Sequence, residues 1–169
     1  MLTFNNSFWK FSLSVYAVPA VSTECLDLQR RFDIDVNQLL FCAWLGSAHN
    51  IILSEGNLEA IEASIAVWHD SVVRPLRAAR QNLKALSAMS DPAVAALRKD
   101  IAKSELRAEE IEQAMLFALA EPLAIRGATA SAAEAVHLNV SAFLERKAPR
   151  GVKPPRPDHL IAQAIGYKA

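Results

Sequence analysis

The chain has 169 residues, 52% of them apolar and 21% charged, enough to bury one full core. Lys plus Arg and Asp plus Glu are 18 each, so no global field draws the protein to nucleic acid or to an anionic membrane. The five glycines are scattered singly, which excludes a Gly-rich phosphate loop, and abundant alanine favours helix over sheet.

Phe11 to Val21 is apolar, with small residues at Ala17 and Ala20, in the manner of a secretion signal. The basic start of such a signal is missing, since the first base, Lys10, abuts that stretch, and a cytoplasmic protein is the expectation. Asn5-Asn6-Ser7 offers caps for a helix over about 8–17. Pro19 suits the first turn of a second helix, running to about Phe32, with Val21, Cys25 and Leu28 inward. Asp33 and Asp35 turn the chain into a third helix, with Asp35 as its start and Gly46 as its stop. From Leu39 to Leu45 every side chain is apolar. A segment apolar all round has to be enclosed by other elements, and this one falls far short of the roughly 20 residues that cross a bilayer.

Residues 47–56 read as a loop, and Asn57 as the cap of a long helical region carrying Leu58, Ile61, Ile65 and Trp68. Pro75 inside it predicts a kink or division near Ser71. Val72, Leu76, Ala79, Leu83 and Leu86 then step by four and three. Ser87 to Ser90 is a short connection, and Asp91-Pro92 opens a helix with Val94, Leu97, Ile101, Ser104, Ala108, Ile111, Met115 and Ala118 in the same rhythm. Two such helices predict an antiparallel hairpin over 57–119, each arm roughly 40 Å long. The second arm ends within Ala120 to Gly127. Thr129 or Ser131 caps a helix to about Lys147, with Ala135, Leu138, Ala142 and Phe143 inward. The expected fold is thus all-α: a compact bundle around a short buried helix, with a long antiparallel helical hairpin. Residues 1–147 form one domain, 148–157 a basic Pro-rich linker, and 158–169 a short helix that Asp158 caps. That helix is expected to fold back on its own core rather than dock in a partner's groove.

Three blocks in order carry a resemblance: Val15 to Val21 (VYAVPAV), Cys25 to Gln29 (CLDLQ) and Asp35 to Gly46 (DVNQLLFCAWLG). They are similar to a proteobacterial family of uncharacterised proteins, with further matches at Trp68, Arg74 to Arg77 and Glu105 to Glu109. The resemblance implies a small, all-helical bacterial protein and no activity that transfers to a residue.

Each catalytic pattern in the chain is incomplete. Glu134 and His137, three apart, form one half of a di-iron signature that needs two such pairs. Trp68-His69-Asp70-Ser71 holds the residue types of a hydrolase triad, but neighbours on a helix point about 100° apart and do not converge. His69 reads as a partly exposed histidine beside a buried tryptophan. Asp33, Asp35 and Asn37 alternate as in a calcium loop but lack its Gly and distal Glu, so they read as turn and cap residues. Cys25 and Cys42 read as buried thiols. No catalytic residue, metal ligand or cofactor is assigned.

Charge is more suggestive. From Ser71 to Ser90 there is no acid. In a hairpin, Arg80 and Lys84 come near Arg98, Lys99 and Lys103, making a basic patch toward the tip, while Glu105, Glu109, Glu110 and Glu112 lie nearer Arg74 and Arg77. Arg150, Lys153 and Arg156 in the linker are a second basic surface. These eight cations, Arg80 to Lys103 and Arg150 to Arg156, are the candidate partner-binding residues of an adaptor module. The expected partner is a protein, with RNA the weaker alternative because no aromatics interleave with them. The alternative is a small-molecule-binding protein or enzyme with an apolar pocket beside Trp44, lined by Trp9, Tyr16 and Phe41.

Overall fold

A computed structural model describes residues 1–86, 91–126 and 128–168. The expected connection Ser87 to Ser90 and the expected stop at Gly127 fall outside them.

Helix α1 (Ser7–Tyr16) begins where Asn6 Oδ1 accepts the Trp9 N–H at 2.8 Å. Helix α2 (Pro19–Phe32) starts on Pro19 and ends at Asp33, whose φ of 51° is left-handed. Asp35 then caps α3 (Val36–His49) by accepting the Asn37 N–H at 2.8 Å. Every residue of α3 from Asn37 to Gly46 is buried, as the all-round apolar run requires. Phe8 and Phe41 meet edge-on at 5.1 Å, and Trp44 joins them in the core.

Gly46 does not stop this helix. The turn comes four residues later, at Asn50 with φ of 57°. Gly46 instead lets α8 (Ala132–Lys147) lie against α3, because a Cβ there would stand 2.6 Å from the Val136 backbone nitrogen. The segment expected as a loop holds strand β1 (Ile51–Ile52), paired antiparallel with β2 (Ala128–Thr129), Ile51 opposite Thr129. Buried Asn139 on α8 binds this corner, accepting the Leu53 N–H at 2.8 Å and donating to the Cys42 and Ile51 carbonyls at 3.1 and 2.9 Å.

Helix α4 (Glu55–Trp68) is capped by Ser54, not Asn57; Asn57 closes a capping box three residues on. The division expected near Ser71 is a widened π-helical stretch, His69–Val73, leading without a break into α5 (Arg74–Ala85). Pro75 has no N–H to give the Ser71 carbonyl, and its ring crowds that oxygen, so an extra residue in the turn relieves both.

Helix α6 (Pro92–Phe117), capped by Asp91, packs against α5 and α4. Its partners descend as theirs ascend, His69 with Glu112 and Arg77 with Glu109 and Glu105, so the arms run in opposite directions. The seam differs from the expected one. Ser104 and Leu97 are exposed, and the buried residues of α6 are Glu105, Ala108, Glu112, Gln113, Ala114 and Leu116. Polar partners on the facing helices, rather than apolar ones, set which stripe of α6 turns inward.

Helix α7 (Ala120–Arg126) follows where only an ending was expected. Ser131 caps α8, which buries Ala135 and Phe143 as expected but turns Leu138 outward. Helix α9 (Asp158–Gly166) folds back on α2 and α8, burying Leu160, Ile161 and Ala164. Its first N–H groups are capped not by Asp158 but by Glu24 of α2, which accepts from His159 and Leu160 at 3.1 and 3.0 Å. Among the described residues, no helix is long and apolar enough to cross a membrane.

Candidate functional site

A cleft of about 470 Å³ opens between α1, α2, the start of α3, α5 and α6. Its two sides differ. Trp9, Leu13, Leu26 and Leu106 form an apolar side, and the three leucines are 53, 48 and 56% exposed. Large aliphatic side chains left half in water beside one opening make a patch with a contact still to satisfy. The other side is polar: Ser12, Asp35, Asn37, Arg77, Glu105, Glu109 and Gln113.

The arginines are anchored. Arg77 donates through Nε to Glu105 at 3.3 Å and through Nη2 to Glu109 at 2.7 Å, while Arg80 grips both oxygens of Glu105. Burial pushes the Glu109 carboxyl upward in spite of Arg77. Burial would lower the Arg77 guanidinium, but hydrogen bonds and charge from Glu109 and Glu105 outweigh it and raise it.

Behind this wall lies a polar cluster from three elements. His69, on the π-helical stretch, places Nδ1 2.8 Å from Glu112 Oε1 and 3.5 Å from Asp35 Oδ2. Asn37 donates its side-chain N–H to Glu112 Oε2 at 2.6 Å and accepts from Gln113 Nε2 at 2.8 Å. The Asp35 carboxyl is pushed up to about 7, first by burial and then by the charge of Glu112. For His69, burial alone would lower the imidazole pKa, but the Glu112 hydrogen bond and the two carboxylates outweigh it and raise it. Trp68 Nε1 donates to the Ala108 carbonyl at 3.0 Å, locking the widened turn to α6.

Three residues lining the cleft carry a buried side-chain oxygen with no hydrogen-bond partner: Ser12 Oγ, Asp35 Oδ2 and Gln113 Oε1. Unpaired buried polar atoms are rare, and three of the four among the described residues belong to residues that line this opening.

The candidate residues of the sequence are dispersed. Arg80 is held by Glu105 rather than offered at a tip patch. Lys103 pairs with Asp100 of its own helix at 3.1 Å, and Lys84, Arg98 and Lys99 lie exposed on the hairpin arms. Arg150 and Lys153 are exposed in the linker, and Arg156 meets Asp158 at 2.8 Å. Trp44 and Phe41 are core residues, so the cleft is not beside Trp44; Trp9 and Tyr16 do line it. His69 is partly exposed as expected, its side chain 12% exposed, but it engages two carboxylates and the Trp68 beside it is half-buried rather than buried, while Asp70 faces solvent. Sequence reasoning passed over Ser12 and Gln113, and placed Glu112 only in an acidic face near Arg74 and Arg77. The available signal was the seven-residue step from Glu105 to Glu112 through Ala108, which puts two acids on one stripe of α6 facing Arg77 and His69.

The chain belongs to a family described as a protein of unknown function, DUF2390, whose model matches residues 7–116. That span holds α1 through nearly all of α6, and therefore every residue of the cleft and of the cluster behind it. No curated protein and no solved structure matches.

Proposed function

We propose that the protein binds a small organic molecule in the cleft between α1, α2, α5 and α6. The observation that carries this reading is the pairing of an apolar side, Leu13, Leu26 and Leu106, with two lining residues, Ser12 and Gln113, that each keep an unpartnered buried oxygen. A ligand with an apolar body and a hydrogen-bond-donating head satisfies both at once. Gln113 Oε1 is an acceptor, and the ionisable lining residues, three acids against two arginines, favour a neutral or cationic head over an anion. The setting is taken to be the bacterial cytoplasm, which two buried, unpaired thiols fit. The test is native mass spectrometry of protein purified from its own host. A bound small molecule is expected on wild type and not on Leu13→Asp/Leu106→Asp, two exposed positions where a charge leaves the fold intact. Wild type that carries no ligand and shows none by extraction would overturn the reading.

A second reading, an adaptor acting through the hairpin, is favoured by one observation. No residue of α6 from Pro92 to Ser104 is buried, and α5 buries none. Arg98→Glu/Lys99→Glu should then lose a partner protein that wild type retains, and equal retention would remove these two cations from consideration.

A further inference from the structure

The cluster behind the cleft has a geometry that a hydrogen-bond network alone does not account for. Asn37 holds each of its two carboxylates through one oxygen. Asp35 Oδ1 takes the Asn37 backbone N–H at 2.8 Å, and Glu112 Oε2 takes the Asn37 side chain at 2.6 Å. This turns Asp35 Oδ2 and Glu112 Oε1 toward one point, where His69 Nδ1 also arrives, and the three ligand atoms lie within 4.8 Å of one another. Gln113 fixes Asn37 in turn, at 2.8 Å. Asp35 is 4% exposed and Glu112 is 0% exposed, yet Asp35 Oδ2 has no hydrogen-bond partner. The separations of 2.8 and 3.5 Å from Nδ1 bracket the edge of a coordination polyhedron, about 3.0–3.5 Å for metal–ligand bonds of roughly 2.1 Å.

Charge points the same way. When both buried carboxylates are ionised, the one imidazole they face, even protonated, offsets only one of them. The nearest guanidinium, Arg77, is committed to Glu105 and Glu109. A dication with one neutral imidazole and two carboxylates closes the balance at zero. The π-helical stretch supplies the means, since a widened turn re-aims a side chain that an α-helix would leave along its surface.

We propose that Asp35, His69 and Glu112 bind one divalent first-row transition-metal ion, with Asn37 and Gln113 orienting the ligands. One imidazole and two carboxylates suit zinc, ferrous iron or manganese; calcium takes six to eight oxygens, which this cluster does not supply. Asp35 also lines the cleft while His69 and Glu112 do not, which places the ion behind the cleft wall. The proposal stands independently of the organic ligand.

Chelator-treated full-length protein, its affinity tag removed, is titrated with zinc and separately with manganese by calorimetry. The expected result is one ion per chain for at least one of the two metals. Asp35→Asn and Glu112→Gln keep the shape of each side chain and should weaken that binding at least 100-fold. X-ray absorption of the zinc-loaded wild type should show imidazole and oxygen ligands and no sulfur; it keeps the test decisive if a variant misfolds. No binding of either metal by wild type would overturn the proposal, as would retained affinity in both folded variants or a sulfur ligand in the zinc spectrum.

Discussion

Replacing Gly46 by alanine isolates what holds α3 to α8. The added Cβ would lie 2.6 Å from Val136 N and 2.8 Å from both Ala135 C and Val136 Cα. Comfortable non-bonded separations are about 3.5–4.0 Å, so the overlap is roughly 1 Å. It falls on backbone, which has no rotamer to yield, and the whole of α8 has to retreat. Overpacking typically costs about 1–3 kcal/mol, a clash against backbone falls at the upper end, and the better helix propensity of alanine returns about 1. The net loss is therefore about 2 kcal/mol, which lowers Tm by about 4–8 °C in a domain of this size. Gly56 supplies the control. It lies in the first turn of α4, its nearest neighbour to an added Cβ is 4.0 Å away, and Gly56→Ala should gain a few tenths of a kcal/mol. Both variants are compared with wild type by thermal and urea unfolding. Gly46→Ala as stable as wild type, or Gly56→Ala falling as far as Gly46→Ala, would refute the close-approach argument.

Three further outcomes follow from the same structure. Asn139→Ala strands the Leu53 N–H and two carbonyls at a buried corner and should cost about 3 kcal/mol or more, read as a drop in the urea midpoint at unchanged m-value. Burial, then the charge of Glu24, pushes the Cys25 thiol up to about 12, and burial raises Cys42 further, so neither should react with a disulfide reagent at pH 8 until the protein unfolds; fast labelling of the native state would contradict this. In chelator-treated protein, Asp35 at about 7 and a raised His69 mean that the folded state keeps protons the unfolded chain releases. The contribution of these two groups is then fully present below the unfolded Asp range near pH 4 and is lost as pH rises through 7 and past the raised His69 value; Asp35→Asn should remove the part between 4 and 7, measured as the difference in urea midpoint from wild type across pH.

Much of the architecture was legible because local rules and the global fold agree. The caps at Asn6, Asp35, Asp91 and Ser131, the prolines at the starts of α2 and α6, and the all-apolar run in α3 act within one turn of the residues they govern. The helical hairpin, the widened turn ahead of Pro75 and the return of α9 onto the core were accessible for the same reason. Where the sequence misled, a distant element had intervened. Gly46 looked like a stop because glycine ends helices, but the backbone of α8 had claimed it. Asp158 looked like a cap, but Glu24, far away in sequence, does that work.

The cleft and the cluster lay furthest from view. Apolar periodicity assigned Ser104 and Ile111 to the seam of α6, since nothing local says that a glutamate will be buried. Glu105 and Glu112 become interior residues only because Arg77, Arg80, His69 and Asn37 arrive from other helices to meet them. By itself, the sequence determined a helical chain with a buried third helix, a two-armed hairpin and a returning tail, because propensity, caps and periodicity act between near neighbours. The tertiary structure alone decided which charged side chains lie inside and which three converge, because burying a carboxylate depends on partners that only the packing of distant helices can supply.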